Sequence, residues 1–235
     1  MELSLNILFN GGNMKFIVYA LISLFTLINT AYAGVIIGGT RVIYSEGNKD
    51  VSISVENPDK IPYLIQSWID GIDEKKQSDF TITPPLFRLN PEKTNALRIF
   101  LTENKLPQDK ESLFWLNIKT IPATERTENS LQIAFKTQMK LIYRPSIFKN
   151  VNFEEEQKKL TWSKSGKILS VNNPTPYYMN FQNITFNGKK VNDVSYAAPL
   201  TTTTFEINDM ATSGTIKWEV INDYGAAEKP AEIKI

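Results

Sequence analysis

LQIAFKTQMKLIYRP, residues 131–145, alternates apolar and polar side chains over a length unusual for one strand. Leu131, Ile133 and Phe135 open the series, and Thr137, Met139, Leu141 and Tyr143 continue it. Gln132, Ala134, Lys136, Gln138 and Lys140 fall between them, until Ile142 breaks the pattern. A period of two puts successive side chains on opposite faces of a pleated strand, so the stretch predicts a long strand with one apolar side. A free edge on such a strand is an aggregation hazard unless charge, a bulge or a cover blunts it. Left open, it can dock a strand from another chain, including a second copy of the same protein.

The rest of the chain keeps this rhythm in shorter pieces. Before it come Val35–Ile37, Thr40–Tyr44, Val51–Val55, Tyr63–Ile69, Phe80–Thr83, Ala96–Leu101 and Leu113–Ile121, separated by turn residues. Pro84-Pro85 must end a strand or sit at a sheet edge, because proline cannot donate to a ladder. Glu103–Glu111 has room for one helical turn at most. After Pro145 the chain turns polar from Phe148 to Lys159, where Glu154-Glu155-Glu156 reads as a solvated linker. A second series follows: Leu160–Trp162, Lys167–Val171, Tyr177–Phe186, Thr201–Ile207 and Thr215–Ile221, with Asn187-Gly188 as a two-residue hairpin turn. Regular short strands with turn punctuation predict an all-β chain of two sandwiches, residues 34–150 and 151–235. No sequence repeat links the halves. Trp68, Trp115 and Trp162 are expected in the cores.

The N-terminus carries an export signal. Met14 and Lys15 precede the uncharged run FIVYALISLFTLI, residues 16–28, and the chain then reaches the A-x-A pattern ending at Ala33. This is the build of a cleavable secretory signal over residues 14–33, and the apolar run is short for a membrane span. Residues 1–13 lack the pattern, which leaves both Met1 and Met14 open as the start. The mature chain is expected to begin at Gly34, without membrane insertion.

Composition excludes much chemistry. The 235 residues contain no histidine and no cysteine, and the net charge is +1. Thiolate catalysis, disulfides and Cys-based metal sites are therefore absent, together with the commonest general base. A near-neutral chain offers no electrostatic footprint for nucleic acid. No nucleophile context, phosphate-binding glycine loop or calcium loop is present, so neither an enzyme nor a cofactor is expected.

Three cations stand out because they sit inside or at the end of apolar strand runs. Arg41 and Lys140 read either as ordinary surface charges or as a paired anchor for a carboxylate, with Arg bonding bidentately and Lys as a point charge. Arg144 beside Pro145 is either a flanking charge or part of an ion-pair network between the halves, with Glu111 and Asp223 as partners; on a surface such a pair contributes only ~0–1 kcal/mol.

Two long segments, LPQDKESLFWLNIKTIP (106–122) and LQIAFKTQMKLIYRP (131–145), resemble the signature of the periplasmic pilus-assembly chaperones of the PapD/FimC type. TRVIY at Thr40, YLIQSWI at Tyr63, TPPLFRLNP at Thr83, NNPTPYYMN at Asn172 and INDYG at Ile221 match in order and spacing. The resemblance implies two immunoglobulin-like domains arranged as an L around a cleft. It implies pilin subunits as partners, with Arg41 and Lys140 holding the subunit's C-terminal carboxylate. Leu131, Ile133 and Phe135 would then enter the subunit's groove as a donated strand, and Glu111, Arg144 and Asp223 would form the interdomain network. It further implies delivery of the subunit to an outer-membrane usher, and a cis bond is plausible at Pro84-Pro85. The nine-residue loop PATERTENS before Leu131 resembles the short-loop subgroup. The family commonly carries a second-domain disulfide, which this chain cannot form.

One oddity remains in the strand itself. Lys140 has the opposite parity to Leu131, Ile133 and Phe135, which a bulge or strong twist would reconcile. The competing reading of the whole chain is a secreted structural or adhesive β-sandwich of the pilus.

Overall fold

Alternating burial along each strand builds two sandwiches. The computed structural model describes Tyr19 and residues 34–73, 75, 79–102, 105–124 and 131–235; the export signal expected over 14–33, Tyr19 apart, lies outside them. The first sandwich contains β1 (Ile36–Ile37), β2 (Arg41–Ser45), β3 (Val51–Asn57), β4 (Tyr63–Asp70), β5 (Phe80–Thr83), β6 (Leu86–Leu89), β7 (Lys93–Leu101), β8 (Ser112–Pro122) and β9 (Phe135–Arg144). One sheet runs β1-β3-β7-β5 and the other β2-β9-β8-β4-β6, with β2 parallel to β9 and every other pairing antiparallel. Ile53 and Val55, Ile65 and Ile69, Leu97 and Ile99, Leu116 and Ile118, and Leu141 and Tyr143 meet between the sheets in one core. Pro84 and Pro85 separate β5 from β6 as their chemistry requires, and the Thr83–Pro84 bond is cis. Residues 105–111 form no helix.

The second sandwich contains β10 (Thr161–Ser165), β11 (Ile168–Asn173), β12 (Met179–Phe186), β13 (Lys189–Lys190), β14 (Tyr196–Ala197), β15 (Thr201–Glu206), β16 (Thr215–Val220) and β17 (Ala231–Lys234). Its sheets run β10-β11-β15 and β13-β12-β16-β17, with β14 beside the start of β12. Trp162, Trp218, Phe181 and Phe205 pack at its centre. Asn187 (φ 50°) and Gly188 (φ 77°) both take the left-handed conformation that a tight two-residue hairpin demands.

A local device recurs in both halves, although no sequence repeat is evident between them. β3 and β11 each end in Asn followed by Pro. The buried Asn57 donates its side-chain N–H groups to the carbonyls of Ile61, Leu89 and Asn90, and its oxygen accepts from Asp59 N–H. Asn173 does the same with Tyr177, Ala197, Ala198 and Thr175. Each amide ties a strand exit to loops that would otherwise bury unpaired carbonyls.

Four expectations need correction. The long strand begins at Phe135, not Leu131, because Thr120–Phe135 is the last rung shared with β8 and no described strand pairs with 131–134. Trp68 and Trp115 are only half-buried: β4 and β8 turn Ile65, Ile69, Leu116 and Ile118 inward, so these tryptophans face out while Trp162 is core. Glu154-Glu155-Glu156 is no loose linker but most of a helical turn, α1 (Phe153–Glu156), capped by Asn152 and anchored by buried Phe153. Carboxylates in a first helical turn complement the exposed N–H groups there. Finally, β9 holds one register with both β8 and β2 and contains no bulge.

Candidate functional site

The unbroken register of β9 resolves the parity of Lys140 by giving the strand two different tasks. Met139, Leu141 and Tyr143 enter the first core. Lys140, Ile142 and Arg144 point the other way, toward the second sandwich. Ile142, which broke the sequence pattern, packs there with Leu113 and Tyr178, flanked by Ile43, Tyr196 and Ala198. That small apolar cluster draws on both halves of the chain.

Below it lies a buried ion network. Arg144 and Glu111 are each 2% exposed. Arg144 Nε donates to Glu111 Oε1 at 2.6 Å, while Nη1 and Nη2 grip both oxygens of Asp223 at 2.5 and 2.7 Å. Glu111 Oε2 accepts the backbone N–H of Tyr178 at 2.7 Å, and the guanidinium lies over the rings of Phe153 and Tyr177. Burial works to lower the Arg144 pKa, but the Asp223 hydrogen bonds and both carboxylate charges hold it above its ordinary value. Burial pushes Glu111 up to about 7 against the pull of Arg144. The structure thus brings Glu111, Arg144 and Asp223 together, and removes Glu111 and Arg144, with Asp223 still partly exposed, from the solvent that makes surface pairs weak.

Above it, the parallel rung Arg41↔Lys140 sets two cations side by side on the same face. Lys140 Nζ donates to Asn180 Oδ1 at 2.5 Å and sits 5.1 Å from the centre of the Tyr196 ring. Burial, and then the charge of Arg41, lowers the Lys140 pKa to about 8. Burial also lowers Arg41, with Asp223 partly opposing it. Arg41 has a long bond of 3.4 Å from Nη1 to Ile221 carbonyl oxygen, and its buried Nε has no acceptor among the described residues. Two adjacent, partly desolvated cations with an unsatisfied donor make a site that favours an anion.

The edge of β9 next to this pair is open. β2 covers β9 only from Lys140 to Arg144, which leaves the backbone of Phe135–Met139 without a strand on that side among the described residues. Leu131, Ile133 and Phe135 project into solvent at 84%, 53% and 62% exposure. Gln132 ties this segment to Thr124 by two hydrogen bonds. Residues 125–130 of the preceding loop lie outside the described part of the chain.

The pattern is shared with known proteins. Residues 34–149 match the model for the N-terminal domain of PapD, a pili and flagellar-assembly chaperone, and residues 155–231 match that for the C-terminal domain of the pili assembly chaperone PapD. The chain belongs to the pilus-assembly chaperone family. Within that family it is similar to the chaperone protein FocC of Escherichia coli, 42% identical over 86% of this chain and 90% of the relative. FimC of E. coli strain K12 is 41% identical over 83% and 82%. A chain of the Salmonella enterica SafA pilin–SafB chaperone complex superposes with a TM-score of 0.80, at 34% identity over 88% of this chain and 99% of that one. The immunoglobulin-like sandwiches are those of the family, whose members are periplasmic chaperones.

Several residues of the chaperone's cleft escaped the sequence reading. Trp115 is the rung partner of Lys140 on β8 and shares its face. Asn117 joins Asp70 and Gln138 in a hydrogen-bonded row along that face, with Trp68 also donating to Asp70. Asn222 organises the loop that presents Asp223, its side chain accepting from Tyr224 and Ala226 N–H. The sequence N-D-Y-G carried that signal, since Asn at the first and Gly at the fourth position of a tight turn are favoured. Gly225 (φ 84°) completes the turn, and a Cβ there would stand 2.4 Å from Thr40 Oγ1. Asn180 and Tyr196 carried no signal.

Proposed function

We propose that this chain is exported to the periplasm, cleaved after Ala33, and there binds, folds and caps pilin subunits by donating a strand, before passing them to an outer-membrane usher. The observation that carries this reading is the meeting of two features on β9: an open edge with exposed Leu131, Ile133 and Phe135, and the Arg41–Lys140 pair where the edge closes. The subunit's terminal carboxylate binds the cations, and its adjoining strand runs along the edge from Met139 back toward Leu131. Backbone hydrogen bonds supply affinity, and the exposed apolar side chains fill alternate sites in the subunit. The buried Glu111–Arg144–Asp223 network and the apolar cluster around Ile142 hold the two domains so that the cleft is formed before the subunit arrives. The similarity to the SafA–SafB complex supports the partner class.

Co-expression with pilin subunits in the periplasm tests the reading. The wild-type chain should co-purify with its subunit, while Arg41→Ala and Lys140→Ala should fold and recover none. Undiminished recovery by both variants would exclude the carboxylate anchor.

A further inference from the structure

Lys140 does not rest on its own domain. The rung Asn180↔Tyr196, between β12 and β14 of the second sandwich, lies under the rung Arg41↔Lys140 of the first. Asn180 is 2% exposed. Its Nδ2 donates to Tyr178 carbonyl oxygen at 3.2 Å, which turns Oδ1 toward the Lys140 ammonium. Tyr196 offers the face of its ring to the same ammonium and is itself held edge-on by Tyr178.

We propose that Asn180, steadied through Tyr178 and assisted by Tyr196, is the positioning residue of the cation pair: a neutral acceptor that parks Lys140 beside Arg41 and yields it to an incoming carboxylate. The inference rests on the carboxylate-anchor reading and adds the second domain to it. The chemistry favours an amide here. An ammonium buried beside another cation needs an acceptor, or it turns away or loses its proton. A carboxylate in this place would form an internal ion pair and compete with the ligand. An amide oxygen stabilises the ammonium and leaves its charge unneutralised, so a carboxylate still gains from binding. The charged and titratable groups around Lys140 are Arg41 on β2, with Asp223 acting on Arg41, and Tyr178 and Tyr196 from the second domain.

The test uses the mature full-length chain and a synthetic peptide of alternating apolar residues, prepared with a free C-terminal carboxylate and as its amide. The ratio of the two affinities measures the anchor, with Lys140→Met as its baseline. NMR titration of the Lys140 side chain reads the parking site without peptide. Asn180→Asp should cut the free-acid preference by about tenfold or more toward that baseline, and raise the Lys140 titration midpoint above about 8. Asn180→Ala, which adds no charge, should reduce the preference several-fold and move the midpoint lower. If Asn180→Asp leaves both the preference and the midpoint at wild-type values, Asn180 does not position Lys140. If the wild type binds acid and amide equally, the anchor reading fails instead, and the midpoints alone decide the role of Asn180: shifts in opposite directions in the two variants uphold it, and no shift overturns it.

Discussion

Replacing Lys140 by Met should make the free protein more stable while removing half of the proposed carboxylate anchor. Methionine keeps most of the aliphatic stem and deletes the charge. In the folded chain, burial and the neighbouring Arg41 bring the Lys140 pKa to about 8 from its ordinary 10.5. Keeping the group protonated at neutral pH therefore costs ~3 kcal/mol of folding stability. The variant also loses the bond to Asn180, and an unpaired buried amide oxygen costs ~1–2 kcal/mol, so the net gain is ~1–2 kcal/mol. Proton counting gives the pH dependence. Between pH 8 and 10.5 the unfolded chain holds a proton that the folded chain has shed, so wild-type stability gains on the variant as pH rises through that window. Urea unfolding of both proteins across the window measures this, with stability read from the midpoint at constant slope. Taking the difference between the proteins cancels Tyr63 and Tyr178, each pushed up to about 12 in the wild type and left in place by the substitution. A difference that stays flat from pH 8 to 10.5 would refute the reasoning.

Arg144→Met should cost ~3–5 kcal/mol in urea unfolding, because it leaves the buried Glu111 without its cation; adding Glu111→Leu should restore only part of the loss, since it removes the stranded carboxylate but takes the acceptor from Tyr178 N–H. Ile133→Asp combined with Phe135→Asp should leave the melting temperature unchanged, as both side chains are exposed, yet abolish co-purification with a pilin subunit. Asn173→Ala should destabilise by ~2–4 kcal/mol in the same unfolding assay, because the Tyr177, Ala197 and Ala198 carbonyls lose their shared donor inside the second domain.

The strands were legible wherever side chains alternated, because period two directly reports a sheet with one buried face. β6, β13, β14 and β17 were missed: β13 and β14 are only two residues long, β6 follows a Pro-Pro pair that reads as a stop, and β17 is four residues directly behind Pro230. Alternation also overstated β9. It reports which face a side chain would occupy but not whether a neighbouring strand exists, so Leu131–Ala134 looked like strand without a partner to make it one. Trp68 and Trp115 failed for a related reason: a large aromatic suggests burial, and only the pairing of β4 with β8 shows that its face is turned outward. Arg41 and Lys140 could be singled out as cations in apolar runs, and the family resemblance suggested that they act together. Asn180 could not be found, since its only distinction is to lie opposite Lys140 across a domain boundary.

The register of β9 links the open edge to the cation pair without any bulge. β2 closes the edge from Lys140 onward, so an incoming strand has rungs available only from Met139 backward. A chain terminus held at Arg41 and Lys140 would therefore start its pairing at one defined rung. A slip of a single residue would turn every side chain of that strand to the wrong face, so a fixed starting point selects the productive pairing with no need to read the rest of the sequence. On the proposed anchor, this would account for two adjacent, partly buried cations kept at a cost to stability. It would also account for the opposite parity of Lys140 to Ile133 and Phe135: the proposed anchor faces the second sandwich, while the apolar side chains have the parity of the face that fills the first core.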